Sequence, residues 1–309
     1  MFQTLDSTAM QACGLCPRNC SADRNNGIRG YCKETALVRV ARASLHMWEE
    51  PCISGTKGSG TIFFSGCPLR CIYCQNQDIA LGNKGEPLTT DELCRIFLLL
   101  QEKDAENINL VTPTHFVPQI ASALERAKER GLVLPIVYNT ASYEHVETIR
   151  RLDGLVNIYL PDFKYWSDTV SRRYSNTPDY VSYAKKAIAE MVRQTKSPIF
   201  ENGMMKRGTI VRHMVLPGHT KESQNIIHYL YETYQDDIYI SIMNQYTPPK
   251  SIAASGFPEL SRRVTKREYG KVINYAISLG VTNAFIQEGE TAKESFIPDF
   301  DDFGFLNEI

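Results

Sequence analysis

The chain has 309 residues, 34 Lys and Arg against 35 Asp and Glu, a net charge of −1, and 43% hydrophobic residues. That much apolar side chain builds a core and excludes disorder over most of the length. The charge balance argues against a general nucleic-acid or membrane-surface binder, and the longest aliphatic and aromatic run, residues 96–100, falls far short of the ~20 residues that span a bilayer.

In chain order, the opening MFQTLDSTAM has no basic stretch followed by an apolar segment. No secretory signal is expected, and the expected location is the cytoplasm, where thiols stay reduced. Residues 1–57 hold Cys13, Cys16, Cys20 and Cys32 among turn formers, with little helical periodicity, and Pro51 and Gly55 punctuate the end. From Thr61 onward, short apolar runs alternate with amphipathic segments. The runs are 61–65, 108–111, 134–138, 155–160, 209–216 and 238–243, and most lack polar alternation, as strands covered on both faces do. Thr89 with Glu92 predicts a capping box ahead of Leu93, Ile96, Phe97 and Leu100. A stripe of Ile120, Ala123, Leu124 and Ala127 stops at Gly131. Thr177 and Pro178 suit an N-cap and first helical position, a further helix begins near Thr220, and Thr265 with Glu268 caps a last one.

Repetition of this kind means βαβ units and a parallel sheet. Six units predict an α/β fold: a partial (β/α)6 TIM-type barrel over residues 58–290, with a small cysteine-rich N-terminal extension and its chemistry on the loops after the strands. An acidic, aromatic tail follows over residues 291–309 and is expected to pack over the barrel or to be partly loose.

The first predicted strand runs into Cys67-Pro-Leu-Arg-Cys71-Ile-Tyr-Cys74, a C-x3-C-x2-C loop. Three thiolates on one short loop hold three corners of a cuboidal iron–sulfur cluster. The fourth iron is then open to an outside ligand, for which a chelating amino acid is suited. A zinc loop is the plainer reading, but structural zinc recruits four ligands, and no His or fourth Cys stands close by.

These residues, with an aromatic just before the third cysteine, resemble the radical S-adenosylmethionine (SAM) superfamily over most of residues 58–250. Cys71-Ile-Tyr-Cys74-Gln-Asn76 is similar to the corresponding loop of glycyl-radical-enzyme activases. The strings IVYNTASYE, IYLPDFKYW, VRHMVLPG and SIMNQYTP resemble the group named for its similarity to pyruvate formate-lyase activating enzyme. The resemblance implies an oxidoreductase with a [4Fe–4S] cluster on Cys67, Cys71 and Cys74 and SAM on the open iron. One electron cleaves SAM to methionine and a 5′-deoxyadenosyl radical, which takes hydrogen from a substrate, in the activases a glycine of a partner enzyme. Reduced flavodoxin or ferredoxin is the implied electron donor; no nucleic acid and no membrane is expected as partner.

By the same likeness Tyr73 lies against the adenine, Asn76 belongs to the cofactor-binding loop, and Asn139 contacts the ribose. The family's Gly-Gly-Glu segment after the second strand is absent. Val111-Thr112-Pro113-Thr114 stands there instead, so Thr112 is the candidate SAM contact, with a simple strand-end turn as the alternative. Asp162-Phe163-Lys164 matches the activases' Asp-x-Lys and is assigned to catalysis. Residues two apart on an extended segment share a side, and a plain salt bridge is the alternative. Arg212 matches an activase arginine that pairs with a carboxylate such as that of SAM; His213 then faces the other way.

Cys13-x2-Cys16-x3-Cys20-x11-Cys32 is a second constellation. Four cysteines so close in a reduced chain favour a metal site, and the spacing leaves zinc and a second iron–sulfur cluster both open. His115 and His219, at predicted strand ends, read as structural. Radical chemistry on a small molecule or peptide is the immediate alternative to activation of a glycyl radical enzyme. A non-catalytic iron–sulfur carrier or a zinc-stabilised binding module is the alternative of another class, though a carrier usually gives each cluster four protein ligands.

Overall fold

The computed structural model describes residues 8–254, 256–287, 298 and 300–308. The apolar runs become strands of one sheet: β1 (Val38–His46), β2 (Ser59–Phe64), β3 (Glu86–Leu88), β4 (Ile108–Val111), β5 (Ile136–Thr140), β6 (Ile158–Pro161), β7 (Ile199–Glu201), β8 (Met204–Met214), β9 (Tyr239–Met243) and β10 (Ala284–Ile286). Their order is β10-β9-β8-β6-β5-β4-β2-β1-β3, with β7 paired to β8. Successive pairs from β2 through β10 along this path are parallel. The path ends at β10 on one side and β3 on the other, so the parallel strands form an open, partial barrel.

The six predicted strands are β2, β4, β5, β6, β8 and β9. β10 adds a short seventh parallel strand beside β9. β1 comes from the cysteine-rich first segment, yet it pairs antiparallel with β2 from Val40 to His46 and carries β3 on its other edge. The first segment is therefore stitched into the barrel's own sheet.

Helices cover the outer face. Thr89 and Glu92 form the expected capping box at the start of Thr90–Glu102, and Thr265 and Glu268 form another at Lys266–Leu279. Thr177 does not cap a helix. The helix begins at Tyr180 after Asp179, while Thr177 is buried and donates its hydroxyl to the Ser171 carbonyl. The previous helix has already claimed that side chain.

Strand periodicity sorts the side chains between two compartments. Ile136, Tyr138 and Tyr159 face the helices, with Leu93, Ile96 and Ile120. Val137, Ile158, Leu160 and Ile210 face the lumen. A short helix, Pro51–Ser54, fills that lumen, packing Cys52 and Ile53 against them. The Ile53 carbonyl accepts a 2.7 Å bond from Asn107 Nδ2, which fixes the plug to the strand wall.

The tail packs along β1. Phe300 meets Phe63 edge to face at 5.4 Å, Asp302 pairs with Arg42 at 3.0 Å, and the Phe303 carbonyl accepts from the Ala43 N–H. Phe296 lies outside the described residues. Among the described residues no helix is long and apolar enough to cross a membrane.

Ile53 is fully buried. Truncation to Ala leaves a cavity in a lumen that cannot collapse, and urea unfolding should show a loss of about 2–5 kcal/mol. Val133→Ala, at an exposed position, should change stability by less than about 0.5 kcal/mol.

Candidate active site

The C-terminal ends of the parallel strands open into a cavity of about 250 Å3. The loop after β2 brings Cys67, Cys71 and Cys74 to its wall. The turn that does so is tight: Cys74 N–H bonds to the Cys71 carbonyl at 3.1 Å, and Arg70, at φ +53, points its N–H at the Cys67 sulfur, 3.5 Å away. Burial pushes the Cys67 thiol above its ordinary pKa and the Cys74 thiol up to about 12, with the neighbouring Cys71 adding to both. These are groups that a metal must deprotonate to bind.

Among the described residues no three His, Cys, Asp or Glu side chains converge on a point that holds a single ion. A four-iron cluster makes no such demand, because each cysteine binds a different iron. Three sulfurs spread around one cavity wall fit that group. Cys67, Cys71 and Cys74 would hold it.

The charged part of the lining is built on Arg212, which β8 carries into the cavity. Its guanidinium donates from Nε to Asp162 Oδ1 at 2.8 Å, from Nη1 to Glu49 Oε2 at 3.0 Å and from Nη2 to Asn139 Oδ1 at 2.7 Å. Lys164 Nζ donates to Asp162 Oδ2 at 2.7 Å, so the Asp-x-Lys pair does share one side. Burial works to raise the Asp162 pKa, but Arg212 and Lys164 outweigh it and hold the carboxyl below its ordinary range. Burial likewise disfavours the Lys164 ammonium; Asp162 more than offsets this and keeps its pKa above the usual value. His213, on the far face of β8, bonds to the Phe163 carbonyl and Ser223 Oγ as a buried structural group.

Tyr73, Asn76 and Thr112 line the same cavity. Tyr73 is 4% exposed and packs edge-on against Tyr165, Tyr174 and Tyr246. Asn76 precedes the short helix Gln77–Ala80. Thr112 sits at φ +59, a strained conformation for a β-branched residue, and its N–H is tied to the Asn139 carbonyl at 2.9 Å. Cys13, Cys16, Cys20 and Cys32 are not part of this cavity's lining; they lie behind the loop.

Sequence reasoning missed Glu49. It stands just before the lumen plug and projects into the mouth, where it accepts from Arg212 and from Asn109 Nδ2 at 3.1 Å. The signal was there in Glu49-Glu50-Pro51, two acids ahead of a proline helix start, but nothing local says that they turn inward.

Fold and site together define an iron–sulfur radical enzyme. Residues 61–230, more than half of the chain, match the radical SAM superfamily, and the chain belongs to it. Membership implies a four-iron cluster and SAM. An uncharacterized protein of Methanocaldococcus jannaschii is 28% identical over 276 residues, covering 85% of this chain and 74% of its own. Among solved structures, a domain of pyruvate-formate lyase-activating enzyme from Bacteroides vulgatus matches 56% of this chain and 91% of its own at 14% identity and a TM-score of 0.40. Streptococcus suis SuiB bound to the precursor peptide SuiA matches 72% of this chain at 11% identity and a TM-score of 0.48; this chain spans 47% of its length.

Asp162 contributes stability that is complete above its ordinary pKa of 3.8 and is lost as pH falls through its lower folded value. Asp162→Asn should therefore cost about 2–4 kcal/mol at pH 7, less than the full cost of orphaning a deeply buried ion. The stability difference between the two proteins, measured by urea unfolding, should narrow as pH falls below 3.8 and the wild-type carboxyl takes up a proton.

Proposed function

We propose that this chain is a radical SAM oxidoreductase that abstracts hydrogen from a substrate held at the barrel mouth. The observation that carries the reading is that three loop cysteines and a set of paired ions line one cavity. When bound, a four-iron cluster on Cys67, Cys71 and Cys74 together with SAM supplies reductive one-electron cleavage and hydrogen abstraction.

The chain's own residues bind, orient and shield. Lys164 and Arg212 offer cations to a carboxylate, and Glu49 and Asp162 offer carboxylates to an ammonium, so this wall is suited to an amino acid gripped by both ends. Asp162 keeps Lys164 charged, which makes the lysine an electrostatic anchor that holds its proton. Asn139 and Thr112 present amide and hydroxyl groups where a ribose would lie. The Tyr73 ring offers a flat apolar surface for an adenine. The plugged lumen below and the tyrosine layer beside Tyr73 keep water from the reacting atoms. Reduced flavodoxin or ferredoxin is the electron donor in this reading.

The anaerobically reconstituted protein, given SAM and dithionite, should form 5′-deoxyadenosine. Cys71→Ala should fold and yield only the background level. A wild type with a filled cluster that forms none would contradict the reading and favour an electron carrier.

Likeness of the Cys71–Asn76 loop and the Asp162/Lys164 pair to the activases points to a glycine of a partner enzyme as the substrate. Adding a glycyl radical enzyme, or a peptide from its glycine loop, should raise deoxyadenosine formation and leave a stable glycine-centred electron paramagnetic resonance signal on the partner. A signal confined to this chain would count against that substrate.

A further inference from the structure

Outside the mouth, the densest chemistry left without a role is in the N-terminal segment. Cys13, Cys16 and Cys32 are buried, and Cys20 is exposed. The backbone draws them together. Cys13 bonds through its N–H to the Ala22 carbonyl at 3.1 Å and through its carbonyl to the Ser21 N–H at 3.0 Å, folding residues 13–22 back on themselves. A turn closed by the Lys33 N–H on the Gly30 carbonyl carries Cys32. A Cβ built on Gly30 would stand 3.2 Å from the Cys20 sulfur and 3.4 Å from the Cys32 sulfur. Cys13 and Cys32 both lie within electrostatic reach of Cys16.

Arg24 lies against these thiols and is 1% exposed. Its guanidinium donates to the Thr35 carbonyl at 3.2 and 2.6 Å and to the His115 carbonyl at 2.6 Å, and Nη1 points at the Cys13 sulfur, 3.6 Å away. Among the described residues no carboxylate pairs with it; Glu34, within charge reach, is held by Arg39 at 3.1 Å. A buried cation whose partners are all neutral is costly to keep. Four protonated thiols supply no counter-charge. A metal centre bound by four thiolates carries net negative charge and supplies it.

We propose that Cys13, Cys16, Cys20 and Cys32, which like the mouth triplet do not converge on a point for a single ion, hold an iron–sulfur cluster, with Arg24 as its buried counter-ion. The centre braces the catalytic loop from outside. The Cys32 carbonyl presses on Gly66, at φ +79, where any Cβ would collide with it. Arg18, between the second and third cysteines, donates to the carbonyls of Pro68 at 2.8 Å and Leu69 at 3.3 Å, and to those of Ser175 at 2.8 Å and Asn176 at 2.7 Å. It thereby ties the segment to the turn between Cys67 and Cys71.

The test counts metal where the mouth binds none, so its outcome is separate from that of the radical chemistry. The full chain with Cys67→Ala, Cys71→Ala and Cys74→Ala is reconstituted anaerobically with iron and sulfide, or given Zn2+, and desalted. It should retain at least about two irons with matching sulfide per chain; about one zinc and no iron would assign a single ion and overturn the cluster. Adding Cys13→Ser and Cys32→Ser should remove the metal. Arg24→Leu should lower occupancy at least about threefold and Arg24→Lys should restore it, because the effect is one of charge. A triple variant that keeps no iron–sulfur cluster while matching the wild type in circular dichroism overturns the proposal, and full loading of Arg24→Leu overturns the counter-ion role. Where the triple variant does not fold, the wild type decides: iron beyond four per chain supports the second cluster, and four irons only overturn it.

Discussion

One guanidinium sets how the strand ends stand relative to one another. Arg212 on β8 reaches Asp162 beyond the end of β6, Asn139 on β5 and Glu49 at the lumen plug, three acceptors in the three directions that a planar fork provides. The side chain is 13% exposed, so each lost partner leaves a charge with little water to replace it. A lysine keeps the charge and loses the geometry. Among the described residues the sheet has no closing pair of strands, and this knot of ions links β8, β5, the end of β6 and the plug across the mouth.

The same knot separates two environments. Below it the lumen is filled by Cys52 and Ile53, packed on Val137, Ile158, Leu160 and Ile210. Above it the cavity is lined by charges of both signs and by thiols. Reactive radical chemistry requires both: fixed dipoles to orient a charged cofactor and a floor that water does not cross. Strain at Thr112 belongs to the same design, because its backbone is turned into the left-handed region just where the cavity wall passes from β4 to β5.

What was legible in the sequence was what is encoded locally. Hydrophobic runs and capping boxes belong to a few neighbouring residues, so the six principal strands and the helix starts at Thr90 and Lys266 could be read. The cysteine triplet and Asp162, Lys164 and Arg212, all singled out from the sequence, line one cavity. Other features depend on partners far along the chain. β1 carries Arg39, Arg42 and Ser44 and looks like a loop until β2 pairs with it. Glu49 acquires its role from an arginine 163 residues away. Thr177 has the chemistry of a cap, but Ser171 takes its hydroxyl. β10 has only three residues, too few for a periodic signal.

The central claim is that Cys67, Cys71 and Cys74 carry a cubane with one iron left free for SAM. Mössbauer spectroscopy of protein reconstituted with 57Fe measures this most directly. The account predicts the spectrum of a [4Fe–4S] cluster, in which adding SAM shifts the isomer shift of one iron of the four as it gains nitrogen and oxygen ligands. A spectrum of mononuclear iron only, or of a complete cluster that does not respond to SAM, would contradict it.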